Sequence, residues 1–238
     1  MRTLKSDELK AVSGARYRDG GGLRFFGEWR FGEPSGSNYW DGMEMWGPEG
    51  AFTDINGGEP LDTDDPNNYR SLDVKGPADF DNGMITMKIV ERSDELQSMW
   101  MFRDMHGLPH KEGFSFVYFD PTTKQIKSTE VKYAGDDETI PVSMYFDVFN
   151  SLPKGAKILA QIHSHPTGVK GLSTIDYNNY KDMLNGGDYH SREMPNGVTF
   201  DPNMLYYIQA KVDGNPKVWD KRVISDPSHK GGQVSRPR

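Results

Sequence analysis

Cysteine is absent from the chain, which excludes a thiol nucleophile, a cysteine-ligated metal and disulfide bonds. Long apolar runs are absent too, and no segment approaches the about 18 apolar residues that a membrane span needs. We therefore predict no membrane span. Basic residues are fewer than acidic ones. The chain has 28 Lys and Arg residues and 35 Asp and Glu residues, which gives a net charge of -7. This balance argues against nucleic acid as the main partner, because phosphate contacts need clustered Lys and Arg.

The composition leaves room for one sizeable core. A chain of 238 residues buries a single good-sized core, or a core domain with appendages. Apolar residues make up 35% of the chain, which also contains 26 Gly and 15 Pro. We therefore expect a polar surface and many loops.

Two histidines end an apolar run in the second half of the chain. Segment 158–166 reads ILAQIHSHP, and STID follows over 173–176. In a β-strand, residues two apart point to the same side, so His163 and His165 can present two imidazoles to one point. Asp176, in the first turn of the helix expected next, can bring a carboxylate to the same point. Two imidazoles, one carboxylate and an open fourth position are typical of a catalytic zinc site.

This pattern resembles the signature of the JAMM (JAB/MPN-plus) metalloprotease family. The shared features are His163-Ser-His165-Pro, then seven residues after His165, then Ser173-x-x-Asp176. The resemblance implies zinc (Zn2+) held by the two histidines and the aspartate, and cleavage of peptide or isopeptide bonds. It also implies a glutamate from an earlier strand as general base. Glu112 opens an apolar run 51 residues before His163, which is where the family has this glutamate.

The resemblance also implies a role for each residue of the site. Zinc in such a site keeps one position for water and lowers the pKa of that water toward about 7. Glu112 would accept the proton of the water and pass it to the leaving amine. Ser173 would donate its hydroxyl to the oxyanion that forms during attack.

Each part of the pattern also has a simpler interpretation. Ser173 and Asp176 fit an ordinary helix start, in which the serine accepts a backbone N–H. His163 and His165 fit surface imidazoles at a strand end, and Glu112 fits a solvated carboxylate. The presence of all the parts in this order favours the zinc site over these separate explanations.

The first fifteen residues carry a second motif. They are charged and weakly amphipathic, they lack the about 7–15-residue apolar core of a secretory signal peptide, and they end in Gly14-Ala15. Together with Glu8 and Leu9, this ending resembles the double-glycine leader of bacteriocin precursors. The resemblance implies synthesis in the cytoplasm, recognition by an ABC exporter with its leader peptidase, cleavage after Ala15 and secretion. The alternative is an ordinary amphipathic helix that ends at Gly14.

Composition shifts divide the chain into four parts. Residues 1–15 are the predicted leader, and residues 16–85 are a Gly- and Trp-rich region of turns and short strands. Residues 86–224, over which the family resemblance extends, are the predicted metallopeptidase domain. Residues 225–238 contain few apolar groups, and we predict a disordered tail.

The order of elements in the third part predicts an α/β fold, a mixed β-sheet flanked by helices. The family resemblance implies the JAMM/cytidine-deaminase-like form of this fold. In order, the expected elements are a strand over 84–90, a helix that starts at Ser93 and stops near Gly107, a hairpin of 114–119 and 125–133, a helix between Pro141 and Pro153, the central His-bearing strand, a helix after Ser173, and closing strands over 204–210 and 218–223.

Two classes of function are consistent with these patterns. The first is an exported bacterial metallopeptidase, similar in plan to the JAMM-like domains of polymorphic toxins, with a protein or peptide as substrate. The second is a non-catalytic bacteriocin-like or assembly protein in which zinc serves structure. Glu112 and Ser173 favour the first class, because a structural site needs neither. A zinc deaminase is disfavoured because its usual motif requires cysteine.

Overall fold

The computed structural model describes residues 65–135, 140–185, 194–211 and 213–236. Residues 65–236 form a single compact unit. The predicted leader over 1–15, and the Gly- and Trp-rich region as far as residue 64, lie outside the described residues.

Strands and helices alternate along this unit. The strands are β1 (Arg70–Ser71), β2 (Gly113–Asp120), β3 (Gln125–Ser128), β4 (Lys132–Tyr133), β5 (Lys157–His165), β6 (Thr199–Ala210), β7 (Lys217–Trp219) and β8 (Gly232–Ser235). The helices are α1 (Asn82–Met105), α2 (Val142–Ser151), α3 (Thr174–Asn185) and α4 (Arg222–Ser225), with short 3-10 turns at Pro66–Asn68 and Pro195–Gly197. Among the described helices, none combines the length and the apolar character needed to cross a bilayer.

The described strands form one mixed sheet with β5 in its interior. The order is β1-β8-β7-β6-β5-β2-β3, and β4 also pairs with β2. Strand β5 runs parallel to β6 and antiparallel to β2. Every residue of β5 after Lys157 is buried, as expected for a strand covered on both faces. The prediction of a central His-bearing strand is therefore confirmed.

Helices cover both faces of this sheet. Alternate residues of β6 separate two cores, because Tyr206 contributes to one and Tyr207 to the other. Helix α1 packs on the Tyr207 side, where it buries Ile85 and Leu96. Helices α2 and α3 pack on the Tyr206 side, as shown by Tyr180 of α3 in that core. The predicted α/β class with a mixed sheet and flanking helices is therefore confirmed, and the specific JAMM-like form of it stays a prediction.

Helix α1 takes the place of the strand predicted over 84–90, and this part of the prediction is wrong. The helix begins earlier because the Asp81 carboxylate caps it, accepting two backbone N–H groups at 2.8 and 3.1 Å. Ser93, predicted as the N-cap, instead lies inside the helix and donates its hydroxyl to Gln209 Oε1. A seven-residue apolar stretch is too short for its spacing to separate a strand from a buried helix.

Strand β8 lies within the segment 225–238, so the prediction of a disordered tail is wrong for this strand. It pairs with β7 and β1 and buries Val234 in the core beneath α1. The compact unit therefore extends beyond the predicted domain, 86–224, at both ends. A four-residue strand with one buried apolar side chain carries almost no periodic signal, and its partners are distant in sequence.

The position of β8 gives a prediction about stability. A Cβ added at Gly232 would lie 1.6 Å from the backbone oxygen of Leu72, whereas one added at Gly171 would meet nothing within 4 Å. We expect Gly232→Ala to lower the free energy of unfolding by about 1–3 kcal/mol, the usual cost of overpacking. Urea denaturation of the full chain measures this, with Gly171→Ala as the matched control. Equal midpoints for the two variants would contradict the placement of β8.

Candidate metal centre

The end of β5 brings two imidazoles together. His163 and His165 are two residues apart on the strand, so both side chains project from the same face. Both are buried, and their Nε2 atoms lie 2.9 Å apart. The sequence prediction that the two rings converge on one point is confirmed.

Asp176 completes the cluster from the first turn of α3. Its Oδ1 lies 3.0 Å from His163 Nε2, and its Oδ2 lies 3.2 Å from His165 Nε2. These three residues form a buried group that could hold a metal ion. In a tetrahedral zinc site with bonds of about 2.0–2.1 Å, ligand atoms lie about 3.3 Å apart. The distance between the two imidazole nitrogens, and the distance from each nitrogen to the carboxylate oxygen that faces it, lie within a few tenths of an ångström of this value. Two imidazoles and a carboxylate are also ligands that zinc accepts, so the residues present fit the predicted ion.

The backbone after β5 sets the orientation of the His165 ring. Its Nδ1 lies 2.9 Å from the carbonyl oxygen of Val169. Because a carbonyl only accepts, Nδ1 carries a proton, and in the neutral ring Nε2 then has the lone pair that binds a metal. Gly168 allows this tight loop, since it adopts a positive φ of 83°.

The helix cap and the metal ligand are the same residue. The N–H of Ser173 donates to Asp176 Oδ2 at 2.7 Å, and the N–H of Asp176 donates to Ser173 Oγ at 3.1 Å. This reciprocal pair is the arrangement of a capping box. The simpler interpretation, in which Ser173 accepts a backbone N–H at the start of a helix, is therefore correct. The same cap also holds the Asp176 carboxylate toward the two imidazoles.

The electrostatics of the cluster favour an ionised aspartate beside imidazoles. Burial opposes ionisation of Asp176, but its contacts with His163, His165 and Ser173 outweigh burial and hold its pKa well below the usual range. Burial lowers the pKa of His163, which favours the neutral ring that binds a metal. For His165, burial is outweighed chiefly by Asp176, with a smaller contribution from Glu112, and its pKa is raised.

A cleft of about 250 Å³ opens onto the cluster. Glu112 and Ser173 line this cleft together with the three metal-binding candidates. Glu112 lies immediately before β2, its side chain is half-buried, and its carbonyl oxygen accepts the N–H of Ala134 at 2.9 Å. The structure thus brings all five of the predicted site residues to one cleft. The complete lining is Glu112, Ile140, Tyr145, His163, His165, Thr167, Val169, Ser173, Ile175, Asp176 and Asn179.

Two residues near the site were not identified as functional from the sequence. Tyr145 lines the cleft, whereas its helical spacing from Phe149 predicts only a buried position on α2. Gln161 is fully buried on β5, and its Nε2 donates to Tyr145 Oη at 3.1 Å. The available signal was the position of Gln161, a polar residue within an apolar run and two residues before His163.

Two further histidines lie close in sequence to Glu112 but not in the cleft. His106 is exposed at the end of α1. His110 Nε2 lies 2.6 Å from Asp104 Oδ1 and 3.1 Å from Lys211 Nζ. Among the described residues, neither histidine belongs to the group that could hold a metal ion.

The chain was compared with protein-family models, with curated proteins and with solved structures, and none of these comparisons found a match. The functional interpretation therefore depends on the geometry of this site and on the sequence motifs.

Proposed function

We propose that the protein is a zinc-dependent hydrolase of JAMM type that cleaves peptide or isopeptide bonds, and that it acts as an exported bacterial effector or toxin. One observation carries the proposal. His163, His165 and Asp176 converge within 2.9–3.2 Å of one another on a cleft that Glu112 and Ser173 also line. These are the residues to which the family resemblance assigns the metal, the general base and the oxyanion donor.

The number of ligands supports a catalytic site over a structural one. Structural zinc sites are closed by four protein ligands, whereas catalytic sites have three and leave a position for water or substrate. The cluster contains three candidate ligands, and within the described residues no fourth His, Asp or Glu joins it. Its exposure to the cleft gives a substrate access to the open position. This favours hydrolysis over the non-catalytic alternative, a bacteriocin-like or assembly protein with structural zinc.

The residues around the cluster supply the remaining chemistry. Bound zinc would act as a Lewis acid and lower the pKa of a coordinated water to about 7. Glu112 is close enough for its charge to act on His165, and it is not part of the ligand group. In the proposed reaction Glu112 accepts a proton from the attacking water and delivers it to the leaving nitrogen.

Ser173 is suited to stabilise the oxyanion while it caps α3. Its Oγ accepts the N–H of Asp176, which uses one of the two acceptor positions of a hydroxyl and leaves the O–H proton to donate. In the proposed reaction this proton is donated to the substrate oxygen on which negative charge develops.

Export is the part of the proposal that rests on sequence alone. It depends on the resemblance of residues 1–15 to a double-glycine leader ending at Gly14-Ala15. The partners it implies are an ABC exporter with a leader peptidase, in addition to the protein or peptide substrate.

The direct test is a zinc count and a cleavage profile of the full-length protein. We expect about one zinc per chain and cleavage within a library of peptides and isopeptide-linked peptides. Chelation should abolish cleavage, and added zinc should restore it. A protein that binds zinc stoichiometrically, gains thermal stability from it and cleaves neither library would support the non-catalytic alternative instead.

The double role of Ser173 gives a separate prediction. Ser173→Ala removes the cap acceptor and the proposed oxyanion donor together. We expect a loss of about 1 kcal/mol in unfolding free energy and a fall in kcat of about 10²–10³-fold. Ser173→Thr is the matched control, since it keeps a hydroxyl and should remain close to wild type. A variant that loses stability but keeps its kcat would limit Ser173 to the cap.

A further inference from the structure

The residue between the two histidines makes a contact of its own. Ser164 is fully buried on β5, and it projects from the face opposite to the imidazoles, because neighbouring residues of a strand alternate between faces. Its Oγ accepts the backbone N–H of Gly113 at 2.8 Å. Gly113 is the first residue of β2 and directly follows Glu112. Ser164 therefore connects the strand that carries two candidate ligands to the residue next to the proposed base.

The peptide group between Glu112 and Gly113 is hydrogen-bonded at both of its ends. Its N–H donates to Ser164 Oγ, and its C=O, which belongs to Glu112, accepts the N–H of Ala134 at 2.9 Å. A peptide group is planar, and the Cα of the first residue is one of the six atoms in the plane. The two hydrogen bonds therefore hold the orientation of this plane and the Cα from which the side chain of Glu112 starts.

This contact lies just beyond the paired part of the two strands. The paired residues of β2 and β5 end with Phe114 opposite His163. One residue farther along each strand, the N–H of Gly113 is bonded to the side chain of Ser164. Ser164 thus extends the connection between the strands by one residue, as far as the peptide group of Glu112.

Gly113 is also closely packed by neighbouring elements. A Cβ added there would lie 2.8 Å from Leu96 Cδ2 and 2.9 Å from two ring carbons of Tyr133. Leu96 is a fully buried residue of α1, and Tyr133 is paired with Gly113 on β4. Packing therefore restrains the Cα of Gly113, while the hydrogen bond to Ser164 restrains the rotation of the peptide group.

We infer that Ser164 is a positioning residue that fixes the backbone of Glu112 relative to the strand carrying His163 and His165. In the proposed reaction Glu112 exchanges a proton with a water at a metal that this strand holds, so their relative position matters. A misplacement of about 1 Å at a reacting centre costs on the order of 100-fold in rate. The effect on catalysis rests on the proposed function, whereas the restraint of the peptide group does not.

Amide hydrogen exchange of the full chain tests the restraint without any substrate. We expect Ser164→Ala to speed exchange of the Gly113 N–H by about 10-fold or more relative to the Phe116 N–H, because the Gly113 amide loses its acceptor. Phe116 is the internal reference, since its N–H also donates to a side-chain hydroxyl, Thr129 Oγ1, at 3.0 Å. Ser164→Thr keeps the acceptor and should keep the wild-type ratio of rates. An unchanged ratio in Ser164→Ala would overturn the inference. If Ser164→Ala does not fold, Ser164→Cys replaces it, because a thiol accepts only weakly.

Kinetics of the zinc-loaded protein test the consequence. We expect Ser164→Ala to lower kcat by about 10- to 100-fold, as is usual for residues that orient a site from its outer shell, with KM and zinc content unchanged. In a Glu112→Gln background the same change should not lower kcat further, because Ser164 acts through Glu112. Ser115→Ala is the matched control and should keep the wild-type kcat. Ser115 is also fully buried, on β2, but its hydroxyl donates to the carbonyl oxygen of Thr129 at 2.9 Å.

The outcomes separate this inference from the proposed function. An active wild type with an equally active Ser164→Ala would overturn the inference. An equal loss of kcat with and without the Glu112 carboxylate would also overturn it, because Ser164 would then act by another route. A wild type that cleaves nothing would count against the proposed function, and the exchange rates would still decide whether Ser164 restrains the peptide group.

Discussion

Glu112→Gln is expected to keep zinc and lose hydrolysis. The amide occupies nearly the same volume as the carboxylate but does not accept a proton at neutral pH, so only the proton transfer is removed. General bases contribute about 10²–10⁴-fold to rate, and we expect kcat to fall by that factor. Because Glu112 is outside the ligand group, zinc per chain should stay at the wild-type value. Steady-state kinetics on a cleaved library peptide and a metal count on the same sample measure both effects.

The matched control for this change is Glu130→Gln. Glu130 is an exposed carboxylate just before β4, so its replacement makes the same change of charge away from the cleft. It should turn over like the wild type. Normal turnover by Glu112→Gln would remove the base from the proposal, and loss of zinc from this variant would show that Glu112 acts as a ligand instead.

His163→Ala is expected to lose both zinc and activity. The change leaves two of the three candidate ligands, His165 and Asp176, which is too few for a stable zinc site. A ligand that binds only the folded state at about 1,000 times its Kd adds about 4 kcal/mol of stability. Wild type should therefore melt at a higher temperature when zinc is added, and the variant should not. Zinc content, hydrolysis and the zinc-dependent change in Tm are the three readouts.

Two further variants test whether the loss of zinc is specific to the candidate ligands. His106→Ala removes an exposed imidazole at the end of α1 and should keep zinc, activity and the zinc-dependent rise in Tm. Asp176→Asn keeps the size of the third candidate ligand but removes its charge, so it should also bind zinc poorly while it remains folded. A His163→Ala protein that still binds one zinc per chain would place the metal elsewhere and contradict the proposed site.

The candidate site was predictable because its residues act through local geometry. The same-side projection of His163 and His165 follows from the two-residue repeat of a strand. The position of Asp176 follows from a helix start signalled by Ser173. These relations span 14 positions of the chain, and the observed separations of 2.9–3.2 Å agree with them.

The predictions failed where the deciding contacts lie outside the segment concerned. Segment 84–90 is helical because Asp81 caps α1 and because one side of the helix packs on the sheet, and neither feature shows in a seven-residue pattern. Strand β8 is held in place by backbone hydrogen bonds to β7 on one side and to β1 on the other. Hydrogen bonds of that kind are set by the backbone and leave little trace in side-chain composition.

What the sequence determined by itself is the composition of the cluster and the order of the elements that carry it. The tertiary structure alone decided that Glu112, 51 residues upstream, enters the same cleft, because antiparallel pairing aligns Phe114 of β2 with His163 of β5. It also decided that Gln161 is hydrogen-bonded to Tyr145, because α2 packs on the face of the sheet from which the imidazoles project. Chain order and short spacings fix local geometry, but only the register between strands and the docking of helices bring distant residues together.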